Sequence, residues 1–227
     1  MRRLLLFDID GTLVEGGPAK EAFHTALLET YGTAGPIESH EFSGKTDPQI
    51  ARELLERAGL ESHDVDAGLP ELWRAYLREL EARLPADPMR VLPGVRALVD
   101  ALAGLGDVAL ALLTGNIVRG AELKLGSAGL FQHFATGAFG SDSEERNDLP
   151  GFALERARRR WGFAFPAAEA LVIGDTPRDV ACGLAHGMVT VGVATGRFPA
   201  DALRDAGAHH VVADFSDTES LVSLVVG

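Results

Sequence analysis

Short apolar runs that end abruptly at a carboxylate or a threonine constrain the fold of this chain more than any other feature. Leu4 to Phe7 runs into Asp8-Ile9-Asp10-Gly11-Thr12. Val108 to Leu113 runs into Thr114-Gly115-Asn116. Ala170 to Ile173 runs into Gly174-Asp175-Thr176-Pro177-Arg178-Asp179. Val189 to Val193 and Val211 to Ala213 are further runs, and Phe134 to Phe139 is a weaker one. Continuous runs of this length read as strands buried on both faces. From residue 94 onward helical patterns separate them. The alternation predicts an α/β fold, a Rossmann-like doubly wound parallel sheet with helices on both faces.

After the first run the pattern changes. No convincing strand follows until Pro93. Pro18 to Tyr31 reads as a helix with Phe23, Ala26, Leu27 and Tyr31 on one face. Asp47 to Ala58 reads as a second, with Asp47 as N-cap, Pro48 at the first position and Gly59 as the stop. A third runs from about Pro70 to Leu84, with Leu72, Trp73, Tyr76, Leu77 and Leu80 as its stripe. The expected organisation is a core of residues 1–15 and 91–227, interrupted by a small all-helical cap of residues 16–90. Both borders are rich in breakers, Gly16-Gly17-Pro18 and Pro85 to Pro93.

Bulk properties remove several function classes. The formal net charge of −12 disfavours non-specific nucleic-acid binding, because phosphate backbones reward Lys and Arg. An anionic substrate then needs a metal or locally placed cations. Cys182 is the single cysteine, so no internal disulfide forms, and a reducing cytoplasm is the expected compartment. Met1-Arg2-Arg3 starts like a signal peptide, but Asp8 and Asp10 end the apolar run far too early. No run of about 18 apolar residues suggests a membrane span. The seven histidines lack ligand spacing, so no zinc site is expected.

In an open parallel sheet ligands bind beyond the carboxyl ends of the strands. Asp8, Asp10, Asp175 and Thr114 are therefore expected on one edge. Strand periodicity puts Asp8 and Asp10 on the same side. Carboxylates that close repel unless a cation intervenes. Oxygen ligands with room for water suit magnesium, with substrate phosphate completing the shell. Gly11 permits a tight turn whose N–H groups face an anion, and Gly115-Asn116 opens a helix at another natural phosphate position.

Asp8-Ile9-Asp10-Gly11-Thr12, Thr114-Gly115-Asn116 and Gly174-Asp175 with Asp179 closely resemble the motifs of the haloacid dehalogenase superfamily. The resemblance spans nearly the whole chain in the same order. A cap between the first two motifs is the arrangement of its phosphoglycolate-phosphatase-like branch. The resemblance implies that Asp8 attacks phosphorus and that Asp10 protonates the leaving alcohol, then activates water. It implies magnesium held by the Asp8 carboxylate, the Asp10 backbone carbonyl and Asp175, and a phosphoryl oxygen bonded by Thr114. The implied substrate is a small phosphorylated metabolite.

The family usually supplies a lysine as its third motif. The matching stretch, Ser141 to Pro150, has none and offers Arg146 instead. Arginine grips phosphate bidentately, so the electrostatic role survives. Asp179 either caps a helix through Thr176 or orients Arg146. Lys45 is either a solvated lysine or, by resemblance to the family's cap loop, a substrate contact. Arg156, Arg158, Arg159 and Arg160 read as a solvated face. A phosphomutase of the same branch is the alternative enzyme. An aspartyl-phosphate receiver domain is the alternative from another class, opposed by the cap and by Asp10. Monomer and homodimer are equally compatible with the sequence.

Overall fold

The computed structural model describes residues 3–226. In chain order its main elements are β1 (Arg3–Phe7), β2 (Val14–Glu15), α1 (Ala19–Tyr31), α2 (Asp47–Arg57), α3 (Ser62–Arg83), β3 (Arg90–Val91), α4 (Val95–Ala103), β4 (Val108–Leu113), α5 (Val118–Ser127), β5 (Gly137–Ala138), α6 (Leu149–Trp161), β6 (Ala170–Gly174), α7 (Pro177–Ala185), β7 (Val189–Val193), α8 (Ala200–Asp205), β8 (His210–Val212) and α9 (Thr218–Val226). Six strands form one parallel sheet in the order β5-β4-β1-β6-β7-β8. The chain moves outward from β1 to β4 and β5, then returns to β6 on the other side. This reversal beside β1 opens a crevice at the carboxyl ends of β4, β1 and β6.

The first run shows why it is a central strand. Leu5 and Phe7 are buried in one core cluster, with α4 and α9. Leu4 and Leu6 are buried in the other, with α6 and α7. A strand covered on both faces must be apolar at every position, and β1 is, until Asp8.

Between β1 and β4 the chain is mainly helical, as expected. Phe23 of α1 stands edge-on to Tyr76 of α3 at 5.2 Å and stacks near Trp73 at 6.2 Å. Three local expectations are corrected. The N-cap of α2 is Thr46, whose Oγ1 accepts from the Gln49 N–H (3.2 Å), so Asp47 is the first helical residue. Helix α3 starts at Ser62, not Pro70. Pro70 cannot donate an N–H, but the turns before it are held by buried Val65 and by the Tyr31 hydroxyl, which donates to the Val65 carbonyl (2.7 Å). The two connections at the insertion also pair, as the short antiparallel ribbon of β2 and β3. Among the described residues no helix is long and apolar enough to cross a membrane.

Candidate active site

The first residue past β1 is Asp8, buried on the crevice floor. Arg146 Nη2 donates to Asp8 Oδ1 at 3.0 Å. The same nitrogen reaches Asp179 Oδ1. Burial disfavours the Arg146 charge, but Asp179 and Asp8 outweigh it and hold the guanidinium protonated. Asp179 also forms the capping box of α7: its Oδ2 accepts the Thr176 N–H (3.0 Å), and its own N–H bonds Thr176 Oγ1 (3.3 Å). The two readings of Asp179 are thus both present in its geometry, one on each carboxylate oxygen.

Asp175 follows β6 and accepts from Thr12 Oγ1 at 3.2 Å. Carboxylate oxygens of Asp8, Asp175 and Asp179 all lie within 4.8 Å of one another. Burial first, then the neighbouring carboxylates, pushes Asp175 up to about 8. Burial likewise raises Asp8 to about 7, against the pull of Arg146. Such crowded acids are able to hold a cation, which replaces the protons they would otherwise retain. Gly11, at φ 83°, is required here, because a Cβ would collide with the Asp175 carboxylate.

Asp10 does not join this group through its side chain. Its carboxylate turns to the opposite wall, where Lys124 Nζ donates to Oδ1 and Oδ2 (2.9 and 2.8 Å). Asn116 Nδ2 also donates to Oδ2 (2.7 Å) and to Thr114 Oγ1 (2.8 Å). Asp8 and Asp10 therefore have separate cations, Arg146 and Lys124, rather than one between them. The Asp10 side chain is still 46% exposed, so it faces the cleft despite these bonds.

The cap closes over this floor. Gly115 lets its loop approach, since a Cβ there would overlap the Lys45 carbonyl. The Asp47 N–H donates to the Gly115 carbonyl (2.7 Å), and the Ile117 N–H donates to Asp47 Oδ2 (2.8 Å). Thr46 Oγ1 donates to the Glu144 carbonyl (2.7 Å). The cleft between them has a volume of about 430 Å³, with Asp8, Asp10, Thr114, Gly115, Asn116, Arg146 and Asp175 on the core side and Lys45 on the cap side. Lys45 Nζ is bonded to Glu53 (2.5 Å).

Comparison with known proteins agrees with this geometry. A family model described as haloacid dehalogenase-like hydrolase matches residues 3–187. The chain belongs to the haloacid dehalogenase-like hydrolases. It is 29% identical over 205 residues to a phosphoglycolate phosphatase of Pseudomonas savastanoi pv. phaseolicola, covering 86% of this chain and 70% of that one. It is 30% identical over 225 residues to the probable phosphatase IndB of Dickeya dadantii, covering 96% and 92%. The fold superimposes on the crystal structure of a hydrolase from Pseudomonas syringae with a TM-score of 0.72, at 20% identity and 99% coverage of both chains.

In this haloacid dehalogenase-like hydrolase every site residue expected from the sequence except Asp179 lines the one cavity, and Asp179 stands behind it, bonded to Arg146. Lys124 was not anticipated. Its signal lies in α5, where Gly120, Ala121, Lys124 and Leu125 share the buried face. A lysine on an apolar stripe is a buried charge, and a buried charge needs a partner.

Proposed function

We propose that this hydrolase is a magnesium-dependent phosphatase that removes phosphate from a small phosphate monoester through an aspartyl-phosphate on Asp8. One observation carries the reading: Asp8 and Asp10 line a single cavity in different surroundings, Asp8 beside the Arg146 that it shares with Asp179 and Asp10 beside Lys124. Two acids in separate environments suit two roles. In the first step an Asp8 oxygen forms a bond to phosphorus while the bond to the leaving oxygen breaks, and Asp10, entering the step protonated and turned away from Lys124, gives that oxygen its proton. In the second, water attacks the aspartyl-phosphate, Asp10 takes its proton, and phosphate leaves with Asp8 restored. Arg146 and the Thr114 hydroxyl steady the phosphoryl oxygens. Asp8, Asp175 and the Asp10 backbone carbonyl would hold magnesium, which supplies neutralising charge for phosphate next to Asp8.

The test is a panel of small phosphate esters incubated with the protein and magnesium. Release of inorganic phosphate with repeated turnover is expected. A stable phosphoprotein without turnover, or no reaction with any ester, overturns the reading.

Arg146→Ala is expected to cost about 2–4 kcal/mol of transition-state stabilisation, measured as the fall in kcat/KM. Arg146→Lys should recover part, since charge returns without the planar fork. Removing Arg146 also strips Asp179 of its cation, so the measurement is made below the melting temperature of each variant. A near-normal kcat/KM in Arg146→Ala removes Arg146 from the phosphate site.

A further inference from the structure

Resting on the phosphatase reading, we propose that the organic part of the substrate is neutral and hydroxyl-bearing, with a ring or apolar face, and that Tyr76 and Asp47 recognise its hydroxyls. A carboxylated ester is the class this cavity disfavours.

The first argument is charge. Four cations line the cavity besides Arg146: Lys20, Lys45, Lys124 and Arg197. Each is already joined to an acid. Lys20 bonds Glu38 (2.8 Å), Lys45 bonds Glu53 (2.5 Å), Lys124 bonds Asp10, and Arg197 bonds Glu41. A substrate carboxylate would therefore share each of them with a protein carboxylate and would meet no unpaired cation. Asp47, by contrast, is an acid on the cavity wall with no ion-pair partner among the described residues. Its Oδ2 is occupied by the Ile117 N–H, and Oδ1 receives no hydrogen bond from the described residues. An anion at that position repels a carboxylate and accepts from a hydroxyl.

The second argument is an unused donor. Tyr76 is 2% exposed, lines the cavity, and its hydroxyl has no hydrogen-bond partner among the described residues. Burial first, then the charges of Asp47 and Asp10, hold that hydroxyl protonated, and it lines the same cavity as Asp8 and Asp10. The hydroxyl is open to the cavity and not committed to the protein, so a ligand hydroxyl can bond it there. Phe23, Phe42 and Ile50 complete the wall beside it. Aromatic faces with one polar handle suit a ring that is apolar on its face and hydroxylated at its edge. The 430 Å³ volume falls within the range of pockets that take a whole small metabolite, well beyond a phosphate with a two-carbon acid.

The experiment measures kcat/KM for ribose 5-phosphate, 2-phosphoglycolate and p-nitrophenyl phosphate with magnesium present. Ribose 5-phosphate is expected to exceed 2-phosphoglycolate by about tenfold or more, the scale of one hydrogen bond to a charged group. Tyr76→Phe keeps the ring and deletes the hydroxyl. It should lower the ratio of ribose 5-phosphate to p-nitrophenyl phosphate by roughly 3- to 10-fold. Asp47→Asn should raise the ratio of 2-phosphoglycolate to ribose 5-phosphate. A wild-type preference for 2-phosphoglycolate overturns the proposal while leaving the phosphatase reading intact. So do ratios that neither substitution moves. No hydrolysis of any of the three overturns both.

Discussion

Asp8→Asn is expected to reduce turnover to background while leaving the fold intact. The amide matches the carboxylate in shape, but its nitrogen and oxygen are far weaker nucleophiles toward phosphorus. Its oxygen still accepts from Arg146 Nη2, which now reaches Asp8 Oδ1 at 3.0 Å, and Arg146 keeps Asp179. No cation is orphaned. One negative charge leaves a group in which Asp8, Asp175 and Asp179 lie within 4.8 Å, so the metal-free variant should melt at or above the wild-type temperature. Phosphate release and a thermal melt check both halves. In the wild type, acid quenching during turnover should trap one phosphoryl group on the peptide containing Asp8. Turnover near the wild-type rate in Asp8→Asn would move the nucleophile to another residue.

The sheet was legible because buried parallel strands have no polar face to hide among. Val108–Leu113 and Val189–Val193 coincide with the apolar runs, and each run ends where the chain meets the crevice. The edges were less legible. Strand β5 is only Gly137–Ala138, paired with the end of β4, because a short edge strand needs little apolar sequence. The β2–β3 ribbon is two residues per strand, below what alternation reveals.

In the candidate site, the shared placement of the motif residues was legible because each follows a buried strand at the same edge of the sheet. Two features were hidden by tertiary context. Asp47 before Pro48 reads as a cap, yet Thr46 holds that position and frees the Asp47 carboxylate for the Ile117 N–H. Lysine usually reads as solvated, so Lys124 was overlooked, although it shares a helical face with Ala121 and Leu125. Its ion pair with Asp10 spans 114 positions in the sequence, and no local pattern encodes that distance. It also explains how a chain without a lysine in Ser141 to Pro150 gathers a second cation beside its acids.

Chelating magnesium is expected to abolish turnover, and adding it back to restore it. Calcium should substitute poorly, because its larger and looser shell misplaces the attacking carboxylate. Metal binding should also appear as a rise in melting temperature that depends on pH. Without metal, Asp8 and Asp175 are raised to about 7 and about 8, well above ordinary carboxylates. Between about pH 4 and pH 8 the folded chain therefore binds more protons than the unfolded one. The stability linked to those protons is complete at low pH and is lost as pH rises through the raised values. Magnesium competes with protons for the same oxygens, so it adds least near pH 5.5 and most near pH 8.5. The increment in melting temperature on adding magnesium should grow across that interval in the wild type. In Asp175→Asn it should be smaller at pH 8.5, because a ligand and a source of repulsion are removed together. An increment that is flat with pH, or full turnover in metal-free buffer, would show that these carboxylates do not hold the metal.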